Sequence, residues 1–206
     1  RNTFLLSISS NPLFLKSSNY LKPINYFEKL GSAQVKSAIL IAALISSSKI
    51  TKIRCKPSRN HTELLMKHLK IPIKIKKNKK IHFIEIKGKQ NFNGFNYEIP
   101  GDISSASFAI VLTLLSENSK LIIKNVNVNP SRAGIVSILN MMGGSIKFKN
   151  KKRYKGELKA DIFIKSTKNL KTINLPKNFN NSSAIDEFNL IFICAAFAKG
   201  ISTFRG

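Results

Sequence analysis

The chain has 206 residues, with 35 Lys plus Arg against 10 Asp plus Glu, a net charge of +25 and an ordinary apolar share of 43%. That length suits one large domain or two small ones, and the apolar share is that of a globular protein. The longest apolar run, 38–45, is far below the ~18 residues a membrane-spanning helix needs, so the chain holds no such span.

A charge of +25 first suggests nucleic-acid binding. The same chain is rich in Asn, Ile and Phe and has no Trp, the joint bias that an AT-rich coding sequence produces. Its basic residues are spread along the chain, with local runs only at 74–80 and 150–155, and they are not interleaved with aromatics. Compositional drift is the preferred reading, with a modest preference for anionic small molecules. Cys55 and Cys194 are far apart and in no ligand spacing, so reduced, partly buried thiols are expected. His61, His68 and His82 form no metal motif, and His61 and His68 read as surface positions of a helix. The opening stretch 1–6 is too short and poorly shaped for a signal peptide and lacks an initiating Met, while 202–206 stops in what reads as a strand. Both ends suggest a piece of a longer protein.

In chain order, the first predicted element is a helix beginning within Gly31-Ser32-Ala33-Gln34-Val35-Lys36-Ser37 and continuing as the apolar run 38–45. A helix N-terminus presents unpaired N–H groups and a positive dipole end, which suit an anion. A strand follows at 49–53, then Pro57-Ser58-Arg59, an amphipathic helix over 62–69, and strands over 71–75 and 82–86. The pattern then restarts. Gly101-Asp102-Ile103-Ser104-Ser105-Ala106 leads into the apolar helix 108–115, a strand at 120–123, Pro130-Ser131-Arg132, a helix over 133–142 closed by Gly143-Gly144, and strands at 145–148 and 160–164. A third, truncated copy starts at Ser182-Ser183-Ala184-Ile185-Asp186-Glu187, with a helix over 190–198 and a strand over 199–204. Internal repetition at this scale marks repeated supersecondary units sharing a core. The first helix of each unit is apolar nearly all round and is expected to be buried on most sides. Gln34, Asp102 and Asp186 each fall near such a helix start, where core packing does not ask for polar residues.

Five ordered motifs then point to a family. Ser-Ala-Gln-Val-Lys-Ser at 32–37, Ser-Arg-Asn-His-Thr-Glu at 58–63, Pro-Gly-Asp-Ile-Ser-Ser-Ala at 100–106, Asn-Pro-Ser-Arg-Ala-Gly at 129–134 and Ile-Asp-Glu at 185–187 occur in that order. The series resembles the 5-enolpyruvylshikimate-3-phosphate synthase (3-phosphoshikimate 1-carboxyvinyltransferase) family over nearly the whole chain. The resemblance implies a mixed α/β fold of βαβαββ units in two inside-out α/β barrel domains, both incomplete here. Residues 1–99 would be the later part of one domain and 100–206 the first part of the other, with a hinge near residues 98–101. The implied reaction transfers the enolpyruvyl group of phosphoenolpyruvate to the 5-hydroxyl of shikimate 3-phosphate and releases phosphate. No cofactor and no metal are implied, no nucleic-acid or membrane partner, a cytoplasmic setting, and a monomer at full length.

By the same resemblance, Ser32, Ala33 and Gln34 contact shikimate 3-phosphate, Arg59 approaches its phosphate, and Asp186 meets the ring hydroxyls as the candidate base. Each has a plainer role open to it: Ser32 as a helix cap, Arg59 as a surface residue, Asp186 as a cap. Arg132 and Lys36 read as structural, and Asp102 as a cap and hinge residue. Asn60 departs from the family's usual Asp, and Phe188-Asn189 from its usual Leu-Pro. The Lys-Ser…Arg, Asn-Ala-Gly-Thr, Arg-Pro and Lys-Glu-Ser-Asp-Arg elements, which supply most of the phosphoenolpyruvate site, are missing, so these residues alone are expected to show little or no turnover. The alternatives are a UDP-N-acetylglucosamine enolpyruvyl transferase-like enzyme, which would not be expected to carry these motifs, and a basic nucleic-acid-binding module.

Overall fold

A computed structural model describes residues 21–205 of the chain. The stretch 1–6, read above for a signal peptide, lies outside the described residues. Two compact units are present: one extends to Pro57 and resumes over Met66–Gly94, and the other joins Ser58–Leu65 to the chain from Phe95 onward.

The first unit contains β1 (Asn25–Glu28), α1 (Ala33–Ile45), β2 (Ile50–Cys55), the end of α2 (His61–His68), β3 (Ile73–Lys77) and β4 (His82–Lys87). Its sheet has the order β1-β2-β4-β3. β1 runs parallel to β2, and the other pairs are antiparallel. The alternation in β2 buries Thr51, Ile53 and Cys55 and exposes Ile50, Lys52 and Arg54. Leu40 and Ala43 of α1 pack with Ile53, Cys55, Met66, Ile71, Ile84 and Ile86 to form its core.

The second unit carries α3 (Ile103–Leu115), β5 (Lys120–Asn127), α4 (Gly134–Met141), β6 (Ser145–Tyr154), β7 (Glu157–Lys165) and α5 (Phe188–Phe197), the last preceded by single 3-10 turns at Asn181–Ser183 and Ile185–Glu187. Its antiparallel sheet has the order β5-β7-β6. Ile110, Leu114, Ile135, Ile138, Leu139, Ile162, Ile164, Ile191 and Cys194 belong to its larger core.

The repeat inferred from the sequence is visible in the pairing. β1-α1-β2-α2-β3-β4 is a βαβαββ unit. In the second copy a single parallel bridge, Gly101 with Val126, stands in for the first strand. In the third, another parallel bridge joins Asn174 to Thr203 across α5. Strand, helix and parallel return are therefore used each time, the arrangement that a crossover connection demands. The mixed α/β fold is as expected, and both sheets are open, as befits incomplete barrel domains.

Three expectations need correction. The strand expected over 199–204 shrinks to the bridge at Thr203, and β1 was not foreseen. β6 and β7 run well beyond 145–148 and 160–164, because antiparallel pairing carries their Lys-rich ends as a hairpin. Finally, α1 and α5 are not buried on most sides, whereas α3 is, apart from one face. Ile41 and Ile45 of α1 are 58% and 76% exposed, Phe108 and Leu112 of α3 68% and 69%, and Ile193 and Phe197 of α5 46% and 69%. Each pair is spaced i, i+4, so each helix has one uncovered apolar face among the described residues.

Candidate functional site

In the first unit, α1 is set in place by Glu28 at the end of β1. Its carboxylate accepts from the Leu30 N–H at 2.8 Å and the Gly31 N–H at 2.6 Å, folding the turn that leads into the helix. Gly31 sits at φ +85°, where a Cβ would be strained, so glycine is required there. Ser32 is the N-cap of α1: its Oγ accepts from the Val35 N–H at 3.3 Å. Ala33 and Gln34 open the helix, and the Gln34 Oε1 lies 3.4 Å from the Ser32 hydroxyl. Lys36, one turn in, is fully buried. The sequence reading missed Glu28, since nothing marks a lone glutamate before a loop as its anchor.

In the second unit, the structure brings Arg59 and Asp186 together. Arg59 Nη2 is 2.6 Å from Asp186 Oδ2, and Arg132 Nη1 reaches the same oxygen at 3.0 Å. Arg132 Nη2 also donates to Asp102 Oδ1 at 3.0 Å and to the Ser104 hydroxyl at 2.6 Å, and Ser104 in turn donates to the buried Glu187. Asp102 caps α3, accepting from the Ser105 N–H at 2.9 Å. Burial pushes the Asp102 carboxyl up, but the Ser105 backbone bond and the hydrogen bond and charge of Arg132 outweigh it, and the carboxyl is held below the ordinary aspartate value. Asp102 is thus a cap, as expected. Asp186 is not: it lies in the 3-10 turn ahead of α5, whose N-cap is Glu187 without a side-chain cap bond. The 3-10 turn before that one, Asn181–Ser183, is pressed on α4. A Cβ on Gly134 would lie 2.2 Å from Ser183 Oγ and 2.9 Å from the Ser183 carbonyl, so only glycine fits.

The segment carrying Arg59 is fastened beside this cluster. His61 Nδ1 lies 2.6 Å from Glu157 Oε1, and Asn127 and Asn129 donate to Glu157 Oε2 at 3.1 and 3.2 Å. Asn60 Oδ1 accepts from Asn129 Nδ2 at 3.0 Å. Burial raises the Glu157 carboxyl, yet the bond and charge of His61 and the two Asn donors hold it below the ordinary glutamate value. His61 stands on a helix with its side chain 38% exposed, as expected of a surface position, but it is also paired with the buried Glu157. Its partner is remote in sequence, so no local spacing could have revealed it. The stretch 98–101 is also bonded within this unit, Glu98 N–H to the Tyr154 hydroxyl at 3.1 Å and Gly101 N–H to Asn125 O at 2.8 Å.

Chemically, the cluster is a carboxylate with two guanidiniums on one oxygen, next to a capped helix start. Such a group can accept a proton from a hydroxyl, and the forked cations can pair with a phosphate. Among the described residues no three His, Cys, Asp or Glu are grouped to hold a metal ion, and no helix is long and apolar enough to cross a membrane.

The family model of EPSP synthase (3-phosphoshikimate 1-carboxyvinyltransferase) matches residues 7–206. The chain belongs to the EPSP synthase family. The 3-phosphoshikimate 1-carboxyvinyltransferase of Caldicellulosiruptor bescii is 39% identical over 189 residues, 92% of this chain and 43% of that protein. EPSP synthase from Acinetobacter baumannii superposes with a TM-score of 0.81 at 33% identity, covering 98% of this chain and 45% of its own. The enolpyruvyl transferase NikO from Streptomyces tendae, at 12% identity and a TM-score of 0.66, shares the fold. The chain spans under half the length of the EPSP synthase relatives it matches.

Proposed function

We propose that the chain supplies part of an enzyme that transfers the enolpyruvyl group of phosphoenolpyruvate to the 5-hydroxyl of shikimate 3-phosphate, releasing phosphate. The observation that carries this is the contact of Arg59 with Asp186 in a chain of the EPSP synthase family: a cation fit for a phosphate next to a carboxylate fit for a hydroxyl. Ser32, Ala33 and Gln34 bind shikimate 3-phosphate, with Gln34 also near phosphoenolpyruvate. Arg59 takes the shikimate phosphate, and Asp186 takes the hydroxyl proton as that oxygen adds to the enol carbon. The methylene carbon gains a proton from a group outside this chain, forming a tetrahedral ketal. Loss of phosphate and of a methyl proton then restores the double bond. Residues 1–99 and 100–206 belong to different domains on this reading. The two buried cysteines, Cys55 and Cys194, fit a reducing cytoplasm, and the whole protein acts as a monomer without a cofactor.

The test is a chimera in which residues 7–206 replace the matching stretch of the Caldicellulosiruptor bescii relative. Phosphate release that needs both substrates is expected from the chimera, and little or none from the 206-residue chain alone. A folded but inert chimera, or a chain whose one saturable ligand is nucleic acid, would overturn the proposal.

A further inference from the structure

We infer that His61, acting through Glu157, is the positioning residue for Arg59. The role of Arg59 as a phosphate ligand, proposed above, is its premise. Glu157 is only 6% exposed, and it opens β7, the central strand of its sheet. Both of its oxygens are taken, one by His61 and the other by Asn127 and Asn129. A carboxylate only accepts, so Nδ1 is the ring nitrogen that carries the hydrogen toward it. At 2.6 Å the bond is short and charge-assisted, and a buried carboxylate that loses its donor is penalised strongly. His61 is the first residue of α2. Residues 58–60 just before it belong to no helix or strand; the Asn60 carbonyl accepts the first bond of α2, from the Leu64 N–H at 3.1 Å, and side-chain ties fix the rest of the path. Among those ties are Asn60 to Asn129, and Arg59 itself to Asp186. The first turn of α2 also lies flat on the β6–β7 turn, for a Cβ on Gly156 would come within 3.0 Å of the Leu64 carbonyl oxygen. The His61–Glu157 bond therefore anchors the start of α2 to a rigid strand and holds Arg59, two residues away, over Asp186. Nothing in core packing requires an ionisable pair at this spot; a fixed place for Arg59 does.

The experiment follows the Arg59 Nε–Hε resonance of the 206-residue chain, identified by its disappearance in Arg59→Lys, with and without shikimate 3-phosphate. His61→Ala is expected to merge that resonance with those of solvated arginines and to weaken shikimate 3-phosphate about tenfold, the scale of leaving one long side chain unordered. His61→Asn, whose amide nitrogen falls at the Nδ1 position, is expected to restore both. His61→Gln, whose nitrogen reaches the Nε2 position instead, is not. Should His61→Ala fail to fold, the Asn–Gln contrast decides. A folded His61→Ala or His61→Gln chain with an unchanged resonance and affinity overturns the inference, as does a folded His61→Asn chain that restores neither. A wild-type chain that leaves shikimate 3-phosphate unbound overturns the ligand role of Arg59 instead, and the ligand-free resonance then tests the positioning by itself.

Discussion

Arg132 Nη1 reaches Asp186 Oδ2 at 3.0 Å, the same oxygen that Arg59 Nη2 reaches at 2.6 Å. Two guanidiniums thus share one carboxylate oxygen, and Arg132 links that oxygen to the capped start of α3 through Asp102 and Ser104. If Asp186 takes the hydroxyl proton, Asp186→Asn keeps the size and loses the base. In the chimera, turnover is expected to fall about 10²- to 10⁴-fold, the usual worth of a positioned base. Phosphate release measures it, with a melting curve to confirm folding. Normal turnover would remove Asp186 from the chemistry.

Gly134 and Ser183 make the closest backbone approach in this cluster. In Gly134→Ala the new methyl meets the Ser183 hydroxyl at 2.2 Å and its carbonyl at 2.9 Å. The hydroxyl can turn away, but the carbonyl is held in the 3-10 turn before Asp186 and cannot. The substitution is expected to destabilise the chain by about 1–3 kcal/mol, the range for overpacking, measured by urea unfolding. A midpoint equal to wild type would show that this turn yields freely.

What was legible in the sequence was what local pattern can encode. Apolar runs marked α1, α3 and α5, and the cap at Asp102 followed from a polar residue ahead of such a run. β1 was missed because its four residues, Asn-Tyr-Phe-Glu, show no alternation that separates them from a loop. The full length of β6 was missed because its outer half is nearly all lysine, arginine and asparagine, held by pairing with β7. At the site, the internal repeat singled out Arg59 and Asp186, but their roles were legible only through family motifs. Their contact spans 127 residues of sequence, that of His61 with Glu157 spans 96, and that of Arg132 with Asp186 spans 54. Tertiary folding alone creates such neighbours, so composition and periodicity carry no trace of them.

Acid is expected to destabilise the second unit. Asp102 and Glu157 sit below their ordinary values, and so does Asp161, on which the Asn150 amide and the Asn125 N–H converge. A carboxyl lowered in the folded state stabilises in full above its unfolded value near 4, and that contribution disappears as pH falls through the lowered value. Urea midpoints should therefore hold from about pH 7 to 5 and drop below. Glu157→Gln and Asp161→Asn should each start lower at neutral pH and drop less. High salt should leave most of the fall in place, whereas a fall caused only by the repulsion of a +25 chain would be screened away.

The uncovered faces of α1, α3 and α5 should make the isolated chain self-associate. Ile41 with Ile45 and Phe108 with Leu112 are apolar i, i+4 pairs more than half exposed, and contiguous apolar surface of this kind is normally covered. Sedimentation is expected to show association that increases with concentration despite the +25 charge. Phe108→Asp combined with Ile45→Lys should reduce it. A monomer at all concentrations would mean that these faces do not recognise each other.

Ser32 separates a structural role from a binding one. Its hydroxyl caps α1 by accepting from Val35 N–H at 3.3 Å. Ser32→Ala removes the cap and is expected to lower stability by about 0.5–2 kcal/mol. Ser32→Asp keeps an acceptor there, and its negative charge suits the positive end of a helix, so stability should return to wild type or better. That same charge stands where shikimate 3-phosphate would place its own anion. Ser32→Asp should therefore be as stable as wild type yet lose shikimate 3-phosphate binding, a pairing that a cap alone cannot produce. Unfolding and titration of the two variants side by side check it. Full binding by a stable Ser32→Asp chain would leave Ser32 as a cap only.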